Sequence, residues 1–566
     1  MIWRYRFVLL LIVGFFLLIF SRLFYWQVVK AEELSSLGQS QYGRFIKLYP
    51  RRGEILSADN FPLVSNKLSY LVFANPKQIK DKKKTVDELS SLLKVDSASM
   101  SALLSLDKLW VPLGNKVDED TKTAIYKKNF PGIGFEEQST RFYPEASMAA
   151  SLLGFVGKNS IGEDKGYVGL EGYYDLQLRG KPGLAVEVSD VFGRPILSRM
   201  DNNTKEVTGR SLILSLDRAI QFMAEQSLKD GIEKYGAEGG MVGIINPKTG
   251  GLLAMVSFPS FDPRTYYTYE ERLYKNPFIS NLYEPGSTFK SLIMAAGLDG
   301  GVVKPDTTCP SCDKPASIGG YEIRTWNNQY QKDISMIDVI LHSDNTGMVY
   351  VSQQLGLERM VSYLEKFGIG QTTGIDLEGE TASVLKDKEK WYSIDVATTS
   401  FGQGISVTPI ELLDAFSSLA NGGVRMAPHV VEKIQTSDEQ IIILPTKELS
   451  RPVSAKTAKI MTEMLVNAVN NGEAKWARLK DYRIAGKTGT AQIPIAGHYD
   501  PNKTIASFIG FAPADDPKFA MLVIIDRPTS SIYGSETAAP IFFDIARKIL
   551  QYYQIPPTGQ EEVPSK

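Results

Sequence analysis

Ser287 and Lys290 stand three apart in "YEPGSTFKSL", at the mouth of an apolar run. A serine hydroxyl is a weak nucleophile until a base takes its proton, and lysine is such a base only when neutral. The segment that follows, "TFKSLIMAAGLDGG", is apolar almost all round and is expected to be a buried helix. A lysine one turn into such a helix must find an anion or give up its proton. The helix N-terminus presses on its charge in the same direction. Spacing puts the two side chains on one face, within reach of each other. The bland alternative makes Ser287 a helix cap after the Pro285-Gly286 turn. That accounts for the serine and leaves Lys290 unexplained. Ser-x-x-Lys recurs at Ser105…Lys108 and Ser383…Lys386, in polar surroundings where ordinary surface roles are expected.

Two later segments carry compatible chemistry. "LHSDNTGMVYV" offers Ser343, Asp344 and Asn345, where a hydroxyl can relay a proton and an amide can hold a peptide carbonyl. Read by itself it is also an ordinary turn before a helix. "AGKTGTAQ" offers Lys487, Thr488, Gly489 and Thr490 at the end or edge of a strand. Its lysine and hydroxyls suit a carboxylate, and its glycine allows a substrate backbone to approach as an added strand. A second Lys-Thr-Gly, at Lys248 to Gly250, falls in a hairpin turn and reads as structural.

Composition narrows the classes. The chain has 566 residues, 43% hydrophobic and 22% charged, so it folds as two to four domains rather than staying disordered. A net charge of −1 gives no electrostatic case for nucleic acid. Only His342, His429 and His498 are available to chemistry that needs an imidazole, and no catalytic metal is expected. Cys309 and Cys312, spaced C-P-S-C, leave three possibilities open: a local disulfide, free thiols, or a metal site helped by Asp306 or Asp313.

The elements that must position these residues follow an N-terminal anchor. Arg4 and Arg6 precede an apolar stretch, and a helix from Phe7 to Val29 is long enough to span a bilayer. Arg22 is expected to snorkel among Phe24, Tyr25 and Trp26. Bulky aromatics and an arginine stand where a cleaved signal peptide would need small residues. Flanking charges, with Glu32 and Glu33 behind, place residues 1–6 in the cytoplasm and the body outside, as a single-pass protein. Residues 31–205 mix strand-like runs such as "SYLVFAN" with helical ones such as "TVDELSSLLKV", and Lys80 to Lys84 reads as a solvated loop. Met200 to Arg210 reads as a linker. From 206 to 555 a strand, a helix and a hairpin lead into a long helical stretch, and strands return from Tyr482 before a last helix. The expectation is an α+β domain whose sheet is completed by distant segments. Residues 556–566 read as a disordered tail.

Ser-x-x-Lys, Ser-x-Asn and Lys-Thr-Gly in this order are the set found in penicillin-binding proteins and class A β-lactamases. The chain resembles the class B penicillin-binding proteins, membrane-anchored, monofunctional D,D-transpeptidases of peptidoglycan synthesis. "RRGEILSADNFPLVSN" and "GLEGYYDLQLRGKPG" resemble that family's non-catalytic, dimerisation-like N-terminal domain. "GGLLAMVSFPSFDP", "FGQGISVTP" and "AGKTGTAQ" resemble its transpeptidase domain, an antiparallel sheet with helices on both faces. Ser57, Ala58, Asp59 and Asn60 depart from the usual Asp-Arg-Asn-Gly, and the resemblance does not explain the cysteine pair. It implies that Ser287 attacks the penultimate D-alanine of a stem peptide, Lys290 takes its proton, and Ser343 relays a proton to the leaving D-alanine. It implies that Lys487 polarises this network, Asn345 binds the donor, Thr488 and Thr490 bind the terminal carboxylate, and the Ser287 and Thr490 N–H groups hold the oxyanion. No cofactor is implied. Expected partners are stem peptides, β-lactams as inhibitors, the membrane, and a polymerase of the SEDS family. The domain plan and "AGKTGTAQ" lean towards a division role. The alternatives are an elongation-type enzyme, a β-lactamase, which needs a water-activating carboxylate, and a non-catalytic β-lactam sensor.

Overall fold

The computed structural model describes residues 2–34, 37, 43–189, 195–199, 205–495 and 498–557. Residues 200–204 of the expected linker, 558–566 of the expected tail and the His498 side chain lie outside that description. The chain clusters into two compact units that interleave in sequence. The first comprises Met1–Arg52, Asn66–Thr140 and Arg179–Gly209; the second comprises Gly53–Ser65, Arg141–Leu178 and Arg210–Lys566.

The interleaving differs from the single boundary near residue 205 expected from sequence. Residues 53–65 and 141–178 belong with the second unit because their partners are there. Ile55 and Leu56 pair in parallel with Leu212 and Ile213. The Tyr174 hydroxyl donates to Asp376 Oδ2 at 2.9 Å, and the Ala149 N–H donates to Glu225 Oε1 at 2.8 Å. Local periodicity marks strands and helices but is silent about such distant partners.

In the first unit, helix α1 (Ile2–Phe24) continues as a π-helical turn at Tyr25–Val29, and by length and hydropathy the two together can cross a membrane. Arg22 lies over the Trp26 ring at 5.1 Å, the aromatic setting expected for it. Strand Pro62–Ala74 pairs with Val111–Val117 and with Ile133–Phe142. Helices Lys82–Leu93 and Ser97–Leu104 bury Leu89, Met100 and Leu104 with Val72 and Val111. The lysine run is a helix start rather than a loop: Asp81 accepts from the Lys84 N–H, and the lysines stay exposed on the first turn.

The second unit is built on a five-stranded antiparallel sheet. Its strands are β1 (Gly239–Ile245), β2 (Leu252–Phe258), β3 (Ala485–Ile495), β4 (His498–Ala512) and β5 (Phe519–Asp526), in the order β2-β1-β5-β4-β3. The helices are α2 (Arg218–Tyr235), α3 (Lys290–Asp299), α4 (Met336–Leu341), α5 (Asn345–Leu355), α6 (Pro409–Ala420), α7 (Ala455–Asn471) and α8 (Ala538–Tyr552). On β5, Val523 and Ile525 enter one core with Leu228 of α2 and Phe542 of α8. Leu522 and Ile524 enter a second core with Leu292 of α3, Met348 of α5, Leu413 of α6 and Met464 of α7. Helices on both faces explain why "FAMLVIID" is apolar throughout instead of alternating. An antiparallel sheet completed by distant segments, with helices on both faces, is the architecture expected.

The stretch between α3 and α4 departs from the helical expectation. Thr308–Cys309 pairs with Ile334–Ser335, and Ala316–Ile318 with Tyr321–Ile323, as two short ribbons. Cys309 and Cys312 are buried there and joined by a disulfide, one of the three possibilities left open.

Candidate active site

Ser287 sits in a 3₁₀ turn, Gly286–Thr288, that feeds α3. It is not a cap: the N-cap position of α3 is Phe289, without a side-chain bond, and it is Thr288 whose hydroxyl donates, to Pro285 O at 2.7 Å. The turn is held by backbone proximity. Gly286 has φ +55°, and a Cβ there would lie 3.1 Å from Thr490 O. A Cβ on Gly402, in the "FGQG" loop, would fall 2.2 Å from Gly286 O. The nucleophile turn is therefore wedged between strand β3 and that loop, and glycine is what lets both approach.

Lys290 is 0% exposed. Its Nζ donates to Ser343 O at 2.5 Å and Asn345 Oδ1 at 2.7 Å, with Ser343 Oγ at 3.3 Å. Burial first, and the neighbouring Lys487 charge second, push this amine down to about 7. The sequence expectation placed Nζ on the Ser287 hydroxyl. Among the described residues Ser287 Oγ makes no hydrogen bond, and Nζ is turned to the second motif. A buried amine takes the better acceptors, a peptide carbonyl and a side-chain amide oxygen.

Ser343 has φ +56°, a left-handed conformation that a non-glycine residue adopts at a cost of about 1–3 kcal/mol. The neighbouring contacts hold it there. Asp344 caps α5 by accepting from the Gly347 N–H at 2.8 Å, and Asn345 Nδ2 donates to Arg324 O at 2.9 Å. The Asn345 amide is thus oriented, oxygen to Lys290 and nitrogen to Arg324.

Strand β3 ends the five-stranded sheet, and Ala485 to Gly489 along it are buried. Lys487 is 3% exposed, and its Nζ donates to Thr488 Oγ1 at 3.1 Å and Thr488 O at 3.2 Å. Burial pushes its pKa down and the Glu473 charge opposes that shift. It makes no hydrogen bond to Ser343 among the described residues, so its effect on the first two motifs is through charge. Two expectations for this segment change. The Thr488 hydroxyl, expected at a substrate carboxylate, donates to Glu473 Oε2 at 2.7 Å. The space over Gly489, expected to be open for substrate, is filled by the protein: a Cβ would lie 2.4 Å from Ser507 Oγ and 2.8 Å from Thr288 Cγ2. Thr490 is half-buried, and its oxygen accepts from the Gly534 N–H at 3.0 Å, leaving its own proton free to donate.

Two carboxylates at this site escaped the sequence reading. Glu473 sits in "NGEAKW", just beyond α7, where an acidic residue passes for an ordinary exposed turn. Glu284 lies inside the first motif segment. It accepts from the Gly404 N–H at 3.0 Å and the Tyr499 hydroxyl at 3.2 Å, tying that segment to the "FGQG" loop and to β4, and burial pushes its carboxyl up. The recurring motif copies are structural. Ser105 Oγ donates to Ser101 O, Ser383 Oγ to Glu411, Lys386 pairs with Asp395 and Lys248 with Asp516.

Residues 240–550 match the family model of the penicillin-binding protein transpeptidase domain, and residues 47–214 match that of the penicillin-binding protein dimerisation domain. The chain belongs to the penicillin-binding protein transpeptidase family. Stage V sporulation protein D of Bacillus subtilis is 34% identical over 98% of this chain and 86% of its own length. Peptidoglycan D,D-transpeptidase FtsI of Escherichia coli is 28% identical over 98% of this chain and 92% of its own. Among solved structures, penicillin-binding protein 3 of Mycobacterium tuberculosis, complexed with aztreonam, is 26% identical with a TM-score of 0.71, covering 91% of this chain and 98% of that one. This family member shares both the domain plan and the fold of such proteins.

Proposed function

We propose that the protein is a membrane-anchored serine D,D-transpeptidase that cross-links peptidoglycan stem peptides, is acylated by β-lactams and works at division. The observation that carries this is the Lys290 amine, fully buried, titrating at about 7 and bonded to both Ser343 and Asn345. At neutral pH a large share of it is free base beside the nucleophile turn. Hydrogen bonds of this kind re-form when substrate enters. Lys290 Nζ then swings to Ser287 Oγ and takes its proton as Oγ bonds to the penultimate D-alanine carbonyl carbon. Charge gathers on the carbonyl oxygen, which accepts from the Ser287 and Thr490 N–H groups. The C–N bond breaks as Ser343 passes its proton to the leaving nitrogen of the terminal D-alanine and takes the proton held on Lys290 Nζ, which becomes a free base again. An acceptor amine attacks the ester and gives its proton to Lys290 Nζ, and the C–O bond to Ser287 breaks as that proton returns to Ser287 Oγ. Asn345 holds the donor backbone, Gly489 lets the turn and β3 meet, and Thr490 donates to the terminal carboxylate. Thr488, its proton engaged by Glu473, is assigned a different role below.

Relatives named for peptidoglycan transpeptidation support the reaction, and a relative named for sporulation keeps that setting as the second reading. The anchor supports a location at the membrane, with residues 1–6 inside and the catalytic unit outside. A SEDS-family polymerase there would supply the glycan strands. Fluorescent penicillin should label the full-length protein and give a long-lived adduct. Ser287→Ala should abolish labelling, and labelling that survives it would overturn the assignment. A fluorescent fusion at the septum of dividing cells distinguishes division from elongation along the side wall and from expression confined to sporulation.

A further inference from the structure

Thr488 has one hydroxyl proton, and it points at Glu473 Oε2, 2.7 Å away. Towards any other neighbour its oxygen can only accept, and Lys487 Nζ is the donor at 3.1 Å. The three groups form a directed chain, Lys487 to Thr488 to Glu473. Lys487 and Thr488 are buried, and the void they share with Glu473, Leu341 and Phe508 is about 10 Å³. That is at or below the space one water needs, so solvent does not replace these contacts. We infer that Glu473 is a positioning residue of the transpeptidase, orienting Lys487 through the Thr488 hydroxyl and placing a negative charge where it favours the ammonium form.

The inference rests on the proposed function and explains how two buried lysines divide their roles. The charged groups acting on the pair are Glu473 beyond α7, which acts on both lysines, and Lys487 and Asp344 of the second motif, which act on Lys290. Glu473 is the anion that opposes burial at Lys487. A positive charge on Lys487 is the largest neighbouring influence pushing Lys290 towards its neutral form. Glu473 thereby favours the ammonium form of Lys487 against its burial, and a positive charge there favours the free base at Lys290. Thr488 accordingly serves this chain and not the substrate carboxylate.

The test is the pH dependence of acylation of the full-length protein by fluorescent penicillin. Wild type should show an acid limb from Lys290 and a basic limb where Lys487 loses its proton. In Glu473→Gln the basic limb should move to lower pH by about 1–3 units, the scale set by removing an opposite charge near an amine. Glu473→Asp, which keeps the charge, should recover most of the shift. Thr488→Val, which breaks the chain from its other end, should move the same limb in the same direction and covers the case in which Glu473→Gln does not fold. A basic limb unmoved in the folded variants overturns the inference, even if the plateau drops, because a merely structural role lowers the rate at every pH. Labelling that persists in Ser287→Ala strikes the proposed function instead, so the two failures are distinguishable.

Discussion

Replacing Lys290 by methionine tests the buried-amine reasoning through stability. The side chain is fully buried, and its amine titrates at about 7 against 10.5 for a free lysine. Between those values the unfolded chain holds a proton that the folded chain has released, so stability rises with pH across that window. Below about pH 7 both states are protonated, and the gap corresponds to a constant penalty of roughly 5 kcal/mol. Methionine fills similar space without the charge and removes the pH-dependent part. It also leaves Ser343 O and Asn345 Oδ1 without their donor, at about 1–3 kcal/mol each, but that loss does not vary with pH. The slope is therefore the clean readout. From pH 7 to pH 9 wild type should gain roughly 2 kcal/mol over Lys290→Met. Urea unfolding of both full-length proteins in detergent, at matched ionic strength, measures it. Lys487 is present in both, so its contribution largely cancels. Parallel stabilities from pH 7 to pH 9 would refute a neutral buried amine, and with it the case for Lys290 as a base.

Ser343→Gly should melt at a higher temperature than Ser343→Ala, by the equivalent of about 1 kcal/mol, because glycine suits φ +56°; the reverse order would show that no strain is held there. Gly489→Ala should cost about 1–3 kcal/mol in urea unfolding and slow acylation, since its Cβ meets Ser507 and Thr288; an unchanged midpoint would contradict the close packing. Thiol alkylation followed by mass spectrometry should find Cys309 and Cys312 unmodified until a reductant is added. Replacing both by serine should cost at most about 2 kcal/mol, as the bond closes a very short loop.

What was legible in the sequence is what depends on local pattern. The apolar run at α1, the β1–β2 hairpin and the unbroken apolar β5 each declare their element by periodicity and composition. Lys290 declared itself by being a charge where a charge is costly. Hidden were the relations between distant segments. Nothing near Glu473 hints that the edge strand will bring Thr488 to it. Nothing near Gly53 or Arg141 marks those stretches as part of the second unit. Gly489 was assigned the right property, permitting close approach, and the wrong visitor, since Thr288 takes the space. Hydrogen-bond direction was also out of reach: spacing put Lys290 beside Ser287, and only the placement of α5 shows that its amine rests on Ser343 and Asn345.

The glycines around the nucleophile have a consequence for how this protein can change under drug selection. Gly286, Gly402, Gly489 and Gly534 bring main chain against main chain or against small side chains, with added Cβ atoms 3.1 Å or less from their neighbours. At these four positions there is no side chain to trim, and any substitution adds atoms where none fit. These four positions consequently cannot widen the acylation site. Variants that discriminate a β-lactam from a stem peptide must arise at other positions, such as the exposed Trp326 and Tyr533, whose rings meet at 6.0 Å. Resistance by that route alters the approach to Ser287 and leaves the reacting geometry intact.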